Sequence, residues 1–188
     1  MGKLIVTEFV SLDGVMEAPG GEPGYAHAGW VGQFFDPGVG AFKLNECLSS
    51  EVCLLGRTTY ESFAGAWPER DDPEGFAAHL NAQPKHVVTS RAGALAWNNS
   101  RVLEGDAVEA VGRLKEEVAG EILLPGSRTL VHALLTAGLV DQVNLVVFPI
   151  VLGSGMRWYP DQPDTLTFEL VSSEAYGSGA IGQVYSAA

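Results

Sequence analysis

Residues 122–129 read ILLPGSRT, a short apolar run followed by a turn of small residues. The apolar run predicts a buried strand, and a stripe with helical spacing follows the turn and ends at Gly138. In such a strand–turn–helix junction, free backbone N–H groups and the positive end of the helix dipole point beyond the strand. The junction therefore favours an anion site formed by Gly126, Ser127, Arg128 and Thr129. The alternative is an ordinary turn and N-cap.

A second junction of the same kind lies at residues 54–61, LLGRTTYE, where Gly56 separates a strand from a helix. Arg57 is suited to a bidentate pair with a terminal phosphate, whose oxygens can also accept from Thr58 and Thr59. The other interpretation is a capping box between Thr58 and Glu61, with Arg57 as a solvated surface charge. Two such junctions in one chain suit a ligand with two phosphate groups.

A third strand is followed by Thr89, Ser90 and Arg91. Ligands of open α/β sheets bind at the carboxyl ends of the strands, so we expect all three junctions at one edge of a sheet.

The rest of the chain alternates strands and helices and then changes to strands alone. Asp36 and Pro37 predict the start of a helix to about residue 49, with Val39, Phe42 and Leu48 facing inward. Before it, a strand at 4–12 runs into a long loop, 17–38, which we expect to cover a site. The C-terminal strands are predicted at 143–152, 165–176 and 181–185. The pattern predicts one α/β domain over residues 1–188, a three-layer α/β/α arrangement with a mostly parallel mixed sheet and antiparallel C-terminal strands.

Composition narrows the function classes. The chain has 188 residues, 46% of them apolar, and a formal net charge of −12 with only scattered lysines. This argues against binding to nucleic acid or to an anionic membrane surface, since both depend on clustered basic residues. No apolar run approaches the roughly 18 residues of a membrane span. Cys47 and Cys53 lie in apolar surroundings typical of reduced thiols, which favours a cytoplasmic location.

Several familiar motifs are absent or fail on context. The four histidines have no metal-ligand spacing, so no metal is expected. Residues 177–182 match GxGxxG, but only six residues follow them, and a hairpin turn is the better interpretation. P-loop phosphoryl transfer and triad hydrolysis lose their support because their motifs are missing.

Five segments in order resemble the dihydrofolate reductase-like superfamily. They are SLDG at 11–14, LGRTTYE at 55–61, PGS at 125–127, GLVD at 138–141 and PIVLGSG at 149–155. The resemblance runs from about Lys3 to Tyr185 and is greatest to stand-alone proteins similar to the reductase domain of bacterial riboflavin biosynthesis, the C-terminal domain of a bifunctional deaminase-reductase.

The resemblance implies NADPH as cofactor and assigns roles to the three junctions. Gly56, Arg57, Thr58 and Thr59 would hold the adenosine-side 2′-phosphate. Thr89, Ser90 and Arg91 would lie along the adenine and ribose. The pyrophosphate would lie against Gly126, Ser127, Arg128 and Thr129. The nicotinamide and substrate would lie near Val10, Asp13, Val15 and Met16. The chain departs from dihydrofolate reductases near Gly40, where counting back from Gly56 places their substrate carboxylate, so folate is not assigned as substrate.

The sequence thus predicts an NADPH-dependent reductase acting on a small pterin- or pyrimidine-like heterocycle or on a carbonyl compound. The alternative is a nucleotide-binding module of the same fold without turnover. Hydride addition leaves negative charge on a heteroatom, and the candidate acids are Asp13 and Asp36, with ordered water as the other source of the proton.

The resembling family also implies a homodimer. We expect it to form through the strand-rich C-terminal third, with Glu8, Phe148, Trp158 and Tyr159 supplying surface.

Overall fold

The computed structural model describes residues 1–34, 36–91, 93–161 and 165–188, in which eight strands form one sheet. The strands are β1 (Lys3–Ser11), β2 (Ser50–Gly56), β3 (Lys85–Val88), β4 (Ser100–Leu103), β5 (Glu121–Pro125), β6 (Gln142–Phe148), β7 (Phe168–Ala175) and β8 (Ile181–Ala187). The helices are α1 (Pro37–Ser49), α2 (Arg57–Ala66), α3 (Phe76–Ala82), α4 (Ala107–Glu117) and α5 (Arg128–Thr136), with a 3-10 turn at Trp30–Phe34.

The strand order across the sheet is β4-β3-β2-β5-β1-β6-β8-β7. The first six strands in this order run parallel, whereas β8 is antiparallel to both β6 and β7. This arrangement confirms the predicted mixed sheet. Because β5 lies between β1 and β2, all the predicted junctions meet at the carboxyl edge of the sheet.

Helices cover both faces of the sheet. On one face, Val6 and Leu54 of the sheet pack with Val111 of α4 and Leu134 of α5. On the other face, α1, α2 and α3 cover the sheet, and a cluster there contains Cys47, Cys53, Leu55, Tyr60, Leu80, Val87 and Trp97. The two cysteines are free and buried as predicted, and burial raises the pKa of each thiol to about 12.

The sheet splits beside β1. The β1–β5 ladder ends at Thr7, which is paired with Pro125, whereas the β1–β6 ladder continues to Ser11. Residues 8–11 of β1 therefore have a strand on one side only. On the other side, this edge of β1 has no strand partner and lies next to the turn at Gly126, whose N–H donates to the carbonyl of Thr7 at 3.4 Å.

Three local predictions need correction. α2 begins at Arg57 and its N-cap, Gly56, makes no side-chain cap, so the capping box between Thr58 and Glu61 is wrong. Leu48 is half exposed, and Cys47 is the buried residue near the end of α1. The apolar run 143–152 contributes a strand only to Phe148, because residues 149–155 form a loop hydrogen-bonded to the segment after β1.

The apparent GxGxxG match is a hairpin turn, as expected. Gly179 has a positive φ of 83° between β7 and β8, and Tyr176 N–H donates to the carbonyl of Ala180. In the described residues, no helix has the length and apolar character needed to cross a membrane.

Candidate functional site

The two glycine junctions, distant in sequence, are in direct contact. The N–H of Gly56 donates to Ser127 Oγ at 2.8 Å, and that hydroxyl donates to Thr59 Oγ1, also at 2.8 Å. A Cβ atom on residue 56 would lie 2.7 Å from Ser127 Oγ, so this approach requires glycine. The ends of β2 and β5 and the starts of α2 and α5 therefore form one continuous surface.

The turn before α5 has an unusual backbone. Gly126 and Ser127 both have positive φ, 59° and 69°. For a non-glycine residue such as Ser127, this conformation costs on the order of 1 kcal/mol and persists where surrounding contacts hold it. The two hydrogen bonds of its hydroxyl are contacts of that kind.

The two helices that begin at this surface differ from the other helices in how their N-termini are capped. Asp36 caps α1, Asp72 accepts from the N–H groups of Phe76 and Ala77 at the start of α3, and Asp106 caps α4. By contrast, α2 and α5 have no side-chain cap. Their first-turn N–H groups remain available, so both positive helix ends at this surface can accept an anion.

Arg57 adds a fixed cation to the surface. Its side chain is 19% exposed, and its Nε donates to Glu61 Oε1 at 2.7 Å, which lowers the pKa of Glu61. Its Nη1 atom is buried and has no hydrogen-bond partner among the described residues. Arg91 Nη1 lies 3.7 Å from the other oxygen of Glu61. The interpretation of Arg57 as a solvated surface charge is therefore wrong.

The remaining residues of the three junctions surround this centre at the surface. Thr89 is half-buried and its hydroxyl accepts from the N–H of Arg91 at 3.0 Å. The exposed members are Thr58, Ser90, Arg91, Arg128 and Thr129.

Asp13 lies after β1, as predicted, but all its contacts are structural. Its carboxylate accepts from the Ser11 hydroxyl at 2.7 Å and from the N–H groups of Leu152 and Gly153 at 3.1 and 2.8 Å. The Ser11 hydrogen bond first, and the two backbone N–H groups after it, lower the pKa of Asp13 to about 2. At neutral pH this carboxylate carries no proton, and its role is to hold two loops together.

The carboxylate of Asp36 likewise accepts hydrogen bonds that hold the fold together. One oxygen accepts from Val39 N–H at 3.1 Å and the other from Ser178 N–H at 2.8 Å, so it joins α1 to the β7–β8 turn. The Ser178 hydrogen bond is the main cause that lowers its pKa. Neither candidate acid is therefore protonated at neutral pH.

The apolar members of the predicted site line the β1 side. Val10, Val15 and Met16 are all buried, and the N–H of Val15 donates to the Ser11 hydroxyl. They lie on β1 beyond the end of the β5 ladder and on the loop that follows β1.

Glu8 is the residue that sequence reasoning misplaced. It was expected to supply surface, but its side chain is buried on β1, and burial raises the pKa of its carboxyl to about 8. The available signal was one carboxylate inside the apolar run LIVTEFV. A buried acid without a hydrogen-bond partner is a candidate functional residue.

Comparison with known proteins agrees with this architecture. A sequence profile of the RibD C-terminal domain matches residues 2–181. The chain belongs to the RibD C-terminal domain family. Among curated relatives, YyaP of Bacillus subtilis (strain 168) is 27% identical over 186 residues, which cover 97% of this chain and 94% of YyaP.

Two solved structures show how far the fold of this RibD C-terminal domain protein extends. A riboflavin biosynthesis protein from Shewanella sp. PV-4 superposes with a TM-score of 0.77 at 19% identity, covering 99% of both chains. Dihydrofolate reductase from Enterococcus faecalis, solved with NADP(H) and RAB-propyl, superposes with a TM-score of 0.64 at 16% identity, over 99% of this chain and 96% of that one. The dihydrofolate reductase-like fold and the resemblance deduced from the five segments are confirmed.

The surface expected to form a dimer of this RibD C-terminal domain protein needs revision. Glu8 and Phe148 are buried within their own chain, and only Tyr159 of the four named residues is exposed, with Trp158 half-buried. The exposed apolar side chains of the C-terminal third include Leu170 and Val171 on β7. The homodimer stays a prediction, now placed on that strand.

Proposed function

We propose that this protein is an NADPH-dependent reductase that transfers hydride to a small pterin- or pyrimidine-like heterocycle or to a carbonyl compound. The observation that carries the proposal is the buried, unpartnered Nη1 of Arg57 beside two uncapped helix N-termini. A buried donor without a partner costs about 1–3 kcal/mol, more when it is charged. A bound phosphate removes that cost.

The residues present fit a dinucleotide with a 2′-phosphate. Arg57, Thr58 and Thr59 hold that phosphate, and the turn at Gly126, with the N–H groups of Ser127, Arg128 and Thr129, holds the pyrophosphate. The contact between Gly56 and Ser127 brings these two groups of residues to one surface. Thr89, Ser90 and Arg91 flank the adenosine end, beyond β2.

The chain contributes binding and orientation to the reaction. When bound, the nicotinamide supplies the hydride. Val10, Val15 and Met16 form an apolar wall that excludes water from the reacting centre. Asp13 holds the loop after β1 against residues 152–153 and so fixes the shape of that wall.

A binding module without turnover is the second candidate. It is favoured by the finding that both predicted acids are ionised at neutral pH and make structural hydrogen bonds. In this case the nucleotide binds, but neither Asp13 nor Asp36 supplies a proton to an acceptor.

Stopped-flow fluorescence separates the two candidates. NADPH is bound first, and its oxidation is then followed on mixing with pterins, pyrimidines, quinones and carbonyl compounds. A reductase oxidises NADPH with at least one class, whereas a binding module holds NADPH without oxidation. Failure to bind NADPH at micromolar concentration would contradict both.

A further inference from the structure

The unpaired edge of β1 carries a carboxyl group whose Oε1 atom has no hydrogen-bond partner in the described residues. Glu8 is the first residue of β1 beyond the end of the β5 ladder, and on its other side it pairs with Leu145 of β6. It lies next to Thr7, whose carbonyl accepts from Gly126 N–H. Glu8 is therefore adjacent to the turn that starts α5.

The Glu8 carboxyl makes no hydrogen bond within the described residues. Its Oε1 atom is completely buried, and the residue as a whole is only 4% exposed. Val6 and Val10, which lie on the same face of β1 as Glu8, belong to the apolar cluster beneath α4 and α5. A buried carboxyl without a partner is costly, so its presence in a native fold requires a reason.

The charged groups that act on Glu8 already have partners. They are Lys43 and Glu46, both on α1. Lys43 lies 2.7 Å from Glu46 Oε2 and donates to the Thr7 hydroxyl, and Glu46 also accepts from Asn144 at 2.8 Å. Thr7 and Glu8 are successive residues of a strand, so their side chains lie on opposite faces of the sheet. The members of this charged network hydrogen-bond to one another and to Thr7 and Asn144, and not to Glu8.

The order of the elements identifies the part of a ligand that reaches Glu8. Along the carboxyl edge, the chain presents Arg57 after β2, then Ser127 after β5, then Glu8 on β1. A dinucleotide with its 2′-phosphate at Arg57 and its pyrophosphate at the Ser127 turn must extend its other base toward β1. This step rests on the proposed function.

We propose that Glu8, as a neutral carboxylic acid, forms a pair of hydrogen bonds with the carboxamide of the nicotinamide ring at the edge of β1 that is left unpaired where β5 stops. A neutral carboxyl presents one O–H donor and one C=O acceptor side by side, and a primary amide presents the complementary pair. Desolvation keeps Glu8 in the required form, because burial raises its pKa to about 8. The nicotinamide in turn satisfies the unpaired carboxyl.

The test compares two ligands and two variants by titration calorimetry at pH 7.5. The ligands are NADPH and 2′-phospho-ADP-ribose, which has both phosphate groups but no nicotinamide. We expect Glu8→Leu to weaken NADPH by about 10-fold, the loss of two neutral hydrogen bonds, and to leave 2′-phospho-ADP-ribose unchanged. Glu8→Gln keeps a donor and an acceptor and should retain NADPH affinity. Neither substitution removes a hydrogen bond within the described part of the chain, so both variants should fold.

The pH dependence supplies a second readout. Wild-type affinity for NADPH should be constant from pH 7 to about 8 and then fall by up to tenfold per unit as Glu8 ionises and loses its O–H donor. The Glu8→Gln variant should show no such fall. Binding of 2′-phospho-ADP-ribose reports any titration elsewhere, including that of Lys85, whose pKa burial lowers to about 8.

The possible outcomes separate a failure of this inference from a failure of the proposed function on which it rests. If Glu8→Leu weakens neither ligand, or weakens both equally, the role of Glu8 is refuted while the cofactor site stands. A wild-type NADPH affinity that does not change up to pH 9.5 refutes it as well. If the wild-type protein binds neither ligand, the proposed function fails, and this inference fails with it.

Discussion

Replacement of Arg57 by alanine is expected to remove the preference for NADPH over NADH. Arg57 is held in place by its hydrogen bond to Glu61, and its buried Nη1 has no partner in the described chain, so a phosphate gains a preoriented donor. A charge-assisted hydrogen bond is worth about 1.5–3 kcal/mol, which corresponds to roughly 10–100-fold in affinity. NADH lacks the 2′-phosphate and should lose less than about twofold.

The assay is titration calorimetry of both cofactors against wild type, Arg57→Ala and a matched control, Arg101→Ala. Arg101 is an exposed arginine on β4 that lies 3.6 Å from Glu117, so its removal changes net charge equally but away from the junctions. We expect the control to bind NADPH within about twofold of wild type, since long-range attraction between exposed charges is screened by salt. Equal losses of NADPH and NADH affinity in Arg57→Ala would refute the assignment of the 2′-phosphate to this residue.

Three further predictions concern the scaffold of the site. Gly56→Ala should lower the free energy of unfolding in urea by about 1–3 kcal/mol and weaken NADPH binding, because the new Cβ would meet Ser127 Oγ at 2.7 Å. Gly112→Ala, with open space in the middle of α4, should instead raise the free energy of unfolding by about 0.5–1 kcal/mol. Equal effects of the two substitutions would contradict this account. Asp13→Ala should lower the Tm at pH 7, and the difference should shrink as the pH falls from about 4 through about 2, because a carboxylate with a lowered pKa stabilises only while it is ionised. A difference of undiminished size at pH 2 would show a cause other than charge. Leu170→Glu on the exposed strand β7 should convert a homodimer to a monomer in light scattering at micromolar concentration, whereas a monomeric wild type would disprove the dimer.

Local patterns in the sequence were enough to predict most of the elements and to place the three junctions at one edge of the sheet. Asp36 and Asp106 cap helices through hydrogen bonds that span two or three residues, so short segments carry the signal. The stripe from Leu130 to Leu135 is buried because its helical spacing places it on one face of α5. The three glycine or hydroxyl-rich junctions likewise depended only on neighbouring residues.

Only the tertiary structure decided which of these segments come into contact and which side chains are buried. Gly56 and Ser127 are 71 residues apart, and the N–H groups that donate to the Asp13 carboxylate lie 139 and 140 residues from it. Contacts at these separations have no local signature in the sequence. Sequence could not distinguish an exposed Glu8 from a buried one, because burial depends on where β5 stops beside β1 and on which helices cover that face. The protonation states of the carboxyls also depend on the fold. The Ser11 hydroxyl and then two backbone N–H groups keep Asp13 ionised, the N–H groups of Ser178 and Val39 keep Asp36 ionised, and desolvation keeps Glu8 neutral.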